Sequence, residues 1–279
     1  MNIGFIGAGK VGFSLGKYFT MQGFFVSGYY SRKSESSSEA SEFTGTKQYL
    51  SINDLVKDSD LIFLTVPDGA IITVWQELKQ LPLQGKIICH CSGSLASTVF
   101  TGIAATGAYG YSVHPFYAVS DKYHSYKELS DAFFTIEGNP DKIGQIESLL
   151  NRCNNRFRVI AAESKTKYHA AAVCISNLMT GLIDMAAELL TECGFSKEEA
   201  FSAFTPIVMG NIKNVLEKGP EDALTGPVER CDTETVIRHL NELSNDEREI
   251  YRLLSRRLVN IAENKNKSYN YDALKGILE

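Results

Sequence analysis

Three glycines within six residues, directly behind a short apolar run, constrain this chain more than any other feature. Ile3-Gly4-Phe5-Ile6 leads into Gly7-Ala8-Gly9-Lys10-Val11-Gly12, and a helical pattern follows over residues 11–21. A glycine at the first position permits a tight turn, and one at the second lets a ligand approach the backbone. The third lets the helix pack close to the strand. A helix that starts here offers unpaired amides and the positive end of its dipole, which together suit a phosphate. This is a dinucleotide fingerprint in a strand–turn–helix setting. Gly4 through Lys10 also satisfies most of the P-loop pattern, but Val11 stands where Ser or Thr would hold magnesium. That position excludes the P-loop.

The first half continues in the same rhythm. Apolar runs at residues 24–30, 61–66 and 87–90 alternate with helical patterns at 53–58 and 70–81. Further strand candidates are residues 108–113, 132–137 and 156–160, and the polar stretch 34–41 reads as a short helix or loop. Strands buried on both faces and separated by helices predict an α/β fold with a parallel, doubly wound Rossmann sheet. From residue 162 onward no strand pattern remains. A long apolar helix is expected over 164–193, stopped by Gly194. Ser196 with Glu199, and Ser244 with Glu247, are spaced as capping boxes for two more helices. The expected division is a Rossmann domain, 1–161, and an all-α domain, 162–279.

Composition narrows the function. A net charge of -5 gives no basic face for nucleic acid. The six cysteines lack disulfide or zinc-finger spacing, so no metal site is expected. The N-terminus enters a strand pattern without a basic region or cleavage site, and no apolar run is read as approaching the roughly 20 residues that span a bilayer. A cytoplasmic location is the resulting expectation.

Cofactor choice falls to the end of the second strand. NAD enzymes usually place a carboxylate there, but this strand ends Tyr30-Ser31-Arg32-Lys33. A hydroxyl followed by two cations suits a 2′-phosphate, and Arg32 can bind it bidentately. NADP(H) is therefore expected over NAD(H). Val66-Pro67-Asp68 ends a strand at the carboxyl edge of the sheet, with Asp68 expected to cap the next helix. His90-Cys91-Ser92-Gly93-Ser94 closes a neighbouring strand, and Ser92 and Gly93 would let backbone and hydroxyls approach the nicotinamide end.

These residues resemble the superfamily of 6-phosphogluconate and 3-hydroxyisobutyrate dehydrogenases, pyrroline-5-carboxylate reductase and ketopantoate reductase. The shared pattern is Gly7 through Gly12, Ser31-Arg32, Val66-Pro67-Asp68 and a C-terminal helical domain. Three stretches narrow it to Rossmann-like proteins with a C-terminal domain of unknown function 2520. They are His90-Cys91-Ser92-Gly93-Ser94, His114-Pro115-Phe116, and Thr225-Gly226-Pro227-Val228-Glu229-Arg230-Cys231-Asp232. The resemblance implies an NADP(H)-dependent oxidoreductase acting on a small carbonyl, hydroxyl or imine compound. It also implies a homodimer built from the C-terminal helices. The other reading is a regulatory protein that senses NADP(H) without turnover.

Hydride transfer needs a proton donor or acceptor beside the nicotinamide. In the dehydrogenases a lysine early in the interdomain helix often serves, and the corresponding stretch here is Lys165-Thr166-Lys167-Tyr168-His169. The asparagine expected shortly after that lysine is missing. His169 is the leading candidate, since an imidazole exchanges protons near neutral pH. Asn177 lies eight residues on and could reach the same cleft, and His114 would line its opposite wall. Arg230 could hold a substrate carboxylate. Asp232 is a candidate for the site and, equally, an N-cap. The substrate is expected between the nicotinamide and the helical domain.

Overall fold

The computed structural model describes residues 1–279. Strand β1 (Ile3–Ile6) runs into helix α1 (Lys10–Met21), followed by β2 (Val26–Tyr30), α2 (Ser34–Thr44) and β3 (Lys47–Tyr49). Then come α3 (Ile52–Asp58), β4 (Leu61–Leu64), α4 (Asp68–Leu78) and β5 (Ile87–His90). β6 (Tyr109–Phe116), β7 (Phe133–Gly138), α5 (Ile143–Arg152) and β8 (Phe157–Val159) complete one sheet of order β3-β2-β1-β4-β5-β6-β7-β8.

Alternation along each strand builds two cores. Ile3 and Phe5, Leu61 and Phe63, and Ile87 and Cys89 face the layer holding Phe13, Phe19, Leu149 and Leu150. Ile6, Ile62, Leu64 and Ile88 face the layer of Leu55, Ile71, Trp75 and Leu78. The register puts Phe5 beside Tyr29 and Phe63 on the neighbouring strands, and its ring stacks on both at 5.1 and 5.5 Å. The doubly wound reading therefore describes β1 to β6. β7, however, runs antiparallel to β6, and β8 parallel to β7. An apolar run looks the same in either direction, so the sequence does not show this reversal.

The expected helix over 164–193 is two helices, α6 (Lys165–Cys174) and α7 (Asn177–Glu192). Ser176 Oγ donates to Ala172 O at 2.7 Å, a back-bond of the kind that bends helices. The two compact units are Met1–Ser176 and Asn177–Glu279. The division lies beyond the expected residue 161 because α6 is anchored in the first unit through Lys165, described below.

In the second unit, α8 (Lys197–Ala223), α9 (Thr233–Glu242), α10 (Asn245–Lys265) and α11 (Asp272–Leu278) follow α7. Ser196 and Glu199 cap α8 reciprocally, at 2.8 and 3.2 Å. Val236, Leu240, Val259, Ala262, Tyr271, Leu274 and Leu278 form its core. Helices α7 and α8 contribute one buried residue each, Ala187 and Ala200. One expectation is corrected here. The stretch Ala162–Glu192 is long and apolar enough to cross a membrane by length and composition, with a mean hydropathy of 1.5 in its most apolar window. Charges toward both ends of the stretch, from Glu163, Lys165 and Lys167 to Asp184, Glu188 and Glu192, hid this in the sequence.

Candidate active site

The turn between β1 and α1 forms one wall of a cleft of about 650 Å³. Gly7 takes φ +103, and a Cβ there would sit 2.8 Å from the Thr65 carbonyl. Thr65 Oγ1 donates to Gly7 O at 2.8 Å. A Cβ on Gly12 would come within 2.3 Å of that same hydroxyl, so the helix can lie this close only without a side chain. Gly9 caps α1 without a side chain, and Phe13 N makes the first helical bond, to Gly9 O. The amides of Lys10, Val11 and Gly12 are left without an intrahelical partner.

The cleft is lined by Gly7, Ala8, Gly9, Ser31, Arg32, Lys33, Val66 and Pro67, among others. Arg32 and Lys33 are exposed and make no ion pair within the protein. No carboxylate stands at the end of β2. Amides without a helical partner, an open Gly9 and two unpaired cations fit a dinucleotide bearing an extra phosphate.

Lys10, Val11 and Gly12, at the start of α1, lie outside that lining, as do Asp68, Ser92 and Gly93, which form the next stretch of the same sheet edge. The expected N-cap role of Asp68 is corrected: Pro67 is the cap, and Asp68 is the first helical residue. Its Oδ2 accepts from Ser92 Oγ at 2.6 Å and Ser94 Oγ at 3.2 Å. Ser92 Oγ in turn accepts from the amides of Ser94 and Leu95. This holds the loop after β5 in a fixed form, tied to the start of α4.

Lys165 is buried, at 1% exposure. Its Nζ donates to Ser92 O at 2.9 Å and to Ser112 Oγ at 2.7 Å. Burial lowers its pKa to about 8, with Glu137, Cys91 and Asp68 opposing that shift. The amine is thus committed to positioning the Ser92 carbonyl, a role the sequence did not disclose. The buried Glu137 carboxylate accepts from Ser97 N and Ser97 Oγ.

Over Gly93 two imidazoles converge. A Cβ on Gly93 would lie 2.6 Å from His169 Nδ1 and 2.9 Å from His114 Nε2. The two rings stand perpendicular, with centroids 6.5 Å apart. His169 Nδ1 is buried and has no hydrogen-bond partner. His114 Nδ1 lies 2.7 Å from Tyr168 OH. Burial first, then Lys165 and His169, push the pKa of His114 down to about 3. His90, fully buried, accepts from Ser92 N and is pushed down to about 4 by burial. The expected pair His114 and His169 is brought together. Tyr168 and Lys165 join it, and the i, i+3 spacing of Lys165 and Tyr168 on α6 was the available signal.

The remaining candidates belong to the second unit. Asn177 opens α7, and Arg230 lies in the turn before α9. Asp232 is the N-cap of α9, accepting from Thr235 N at 3.1 Å. That bond accounts for Asp232 without a part in chemistry.

Residues 1–115 match a family model described as a Rossmann-like domain, and residues 132–258 match a domain of unknown function, DUF2520. A search of curated proteins gives no match. Among solved structures the chain is similar to protein TM1727 from Thermotoga maritima. That match is 25% identical over 95% of this chain and 99% of the other, with a TM-score of 0.76. It is also similar to Plasmodium falciparum pyrroline carboxylate reductase with NADP bound, at 15% identity, 96% and 97% coverage and a TM-score of 0.62. A third is the reductive aminase from Aspergillus terreus in complex with NADPH and ethyl-5-oxohexanoate. There the identity is 17%, the coverage 99% and 92%, and the TM-score 0.63. At such identities the likeness shows a shared fold.

Proposed function

We propose that this chain, which joins a Rossmann-like domain to a DUF2520 domain, is an NADP(H)-dependent oxidoreductase acting on a small carbonyl, hydroxyl or imine compound. One observation carries the reading. Two ring nitrogens, from His114 and His169, meet over Gly93 on the sheet edge that also carries the phosphate-binding turn.

The amides of Lys10, Val11 and Gly12 would hold the pyrophosphate, and Ser31, Arg32 and Lys33 the 2′-phosphate. NADP(H), when bound, supplies or accepts the hydride. The proton falls to this chain. In reduction His169 gives it to the substrate heteroatom, and in oxidation His169 takes it back. Gly93 lets the two imidazoles pack this close to the backbone, where any Cβ would collide with both. Lys165 and Asp68 hold the Ser92–Gly93 backbone in place.

A second reading, an NADP(H)-binding regulatory protein without turnover, draws on the Lys165 amine. It is spent on Ser92 O and Ser112 Oγ rather than left free for chemistry. Following NADPH absorbance against keto acids, aldehydes and cyclic imines separates the two. Turnover above background supports the enzyme, and tight binding without turnover supports the regulator.

The same proposal includes a homodimer through the helical unit. Leu178, Leu182, Phe201, Ile207, Met209 and Leu216 of α7 and α8 are exposed in the single chain. Asp184, Glu188 and Glu192 on α7 argue against a bilayer as their cover. A second copy of the same surface would bury them. Light scattering at micromolar concentration should report twice the chain mass, and a monomer would remove the dimer.

A further inference from the structure

Tyr168 stands on the first turn of α6 with its hydroxyl 2.7 Å from His114 Nδ1 and its ring edge-on to the imidazole at 86°. Either atom can in principle donate. A phenol is a far stronger acid than a neutral imidazole N–H, and an imidazole nitrogen is a far better acceptor than a phenol oxygen. The O–H···N arrangement is therefore the stable one. Burial raises the Tyr168 pKa, so the phenol keeps its proton. With Nδ1 occupied as an acceptor, the ring proton of neutral His114 sits on Nε2. Nε2 is the nitrogen that faces Gly93.

The groups around His114 keep it uncharged. Lys165, His169 and His90 all disfavour an imidazolium there, as does burial. Asp68 alone favours it, and the Asp68 carboxylate already accepts two serine hydroxyls. His114 thus presents an N–H without a charge, while the neighbouring Nδ1 of His169 has no partner at all.

We propose that His114 donates a hydrogen bond through Nε2–H to the reacting heteroatom of the substrate, and that Tyr168 is the positioning residue that fixes this tautomer. The inference rests on the oxidoreductase reading and assigns separate tasks to its two histidines. In reduction the carbon gains the hydride, and the heteroatom gains the pair from the broken π bond and a proton from His169. The His114 proton stays on Nε2, where it stabilises the charge developing on that heteroatom. The donor is fixed before the reaction starts, so no reorientation is needed during it.

The test begins without substrate. Two-bond ¹⁵N–¹H NMR of the wild-type protein between pH 5 and 8 should show His114 neutral and protonated on Nε2. In Tyr168→Phe the same signal should shift toward a mixture of tautomers. A wild-type His114 protonated on Nδ1, or charged in this range, overturns the assignment. With an active substrate, Tyr168→Phe should lower kcat roughly tenfold or more and leave NADPH affinity unchanged. His114→Gln, which keeps an N–H donor, should retain more kcat than His114→Leu. Unchanged kcat in Tyr168→Phe despite the altered tautomer overturns the donor role. If the wild type turns over nothing, the oxidoreductase reading falls and the donor role with it. The NMR result still decides whether Tyr168 sets the tautomer.

Discussion

The two units differ in where their exposed apolar side chains lie: Phe25, Leu50 and Ile72 of Met1–Ser176 stand on separate elements, whereas those of Asn177–Glu279 crowd on α7, α8 and α10. In Met1–Ser176, Phe5, Phe63, Trp75 and Phe134 are all at 1% exposure or less. In Asn177–Glu279, Leu216 stands at 80% and Ile207 at 64% exposure. The difference separates two jobs. The first unit closes its own core and gathers the buried polar groups around Gly93. The second covers a small core and leaves the faces of α7 and α8 exposed.

The sharpest way to break this division is to disable the chemistry from within the first unit. His169→Ala should lower turnover by a factor on the order of 10²–10⁴, with NADPH binding nearly intact by calorimetry. Retained activity would move the search to His114. Equal loss of cofactor binding and folding would mean that His169 only packs.

Next in size is a pair of substitutions, one in each unit. Trp75 is fully buried, donates from Nε1 to Thr101 O at 3.0 Å and meets Phe100 edge-on. Trp75→Ala should cost about 3–5 kcal/mol in denaturant unfolding. Leu216→Glu should leave the monomer's unfolding almost unchanged and instead weaken self-association by sedimentation. A large intrinsic loss at Leu216 would contradict the contrast.

Arg32→Ala should weaken NADPH binding roughly tenfold and leave NADH binding unaffected, since the exposed guanidinium serves only the extra phosphate. Equal wild-type affinities for the two cofactors would remove the NADP(H) preference.

A pH slope tests the first unit alone. His90 and His114 are held neutral in the fold, at about 4 and about 3, below the 6.5 of a free imidazole. Between pH 6.5 and about 4 the unfolded chain takes up protons that the native chain refuses, so stability should fall on acidification. Above pH 6.5 these two groups contribute no slope. Thermal melts of the wild type against His114→Gln should show a shallower acid limb in the variant.

How much of this was legible depended on whether the cause was local. Gly7, Gly9 and Gly12 disclosed β1, the turn and α1 because each glycine answers a constraint within a few residues. β3 escaped because Lys47-Gln48-Tyr49 is short and polar, a strand only by pairing with β2. The bend after α6 depends on a serine hydroxyl, with no proline or glycine to mark it. In the candidate site, His114 and His169 were legible as residue types, but their convergence comes from positions 55 apart in the chain. Asp68 was misread as a cap because its true partners, Ser92 and Ser94, are brought to it by the pairing of β4 with β5. Lys165, given no role in the sequence, is an internal tether.

Strand order also sets a timetable for synthesis. β1 pairs not only with β2 but with β4, Ile3 meeting Leu61, and the sheet is closed only by β8. The central strand is therefore made before β4 and must wait for a partner made later. At about 5–20 residues per second, β4 follows β1 by roughly 3–12 s. The first unit has all its strands before α7 is translated. The nucleotide-binding half is thus placed to acquire its native form, and to meet its cofactor, while the helices that would join two copies are still being made.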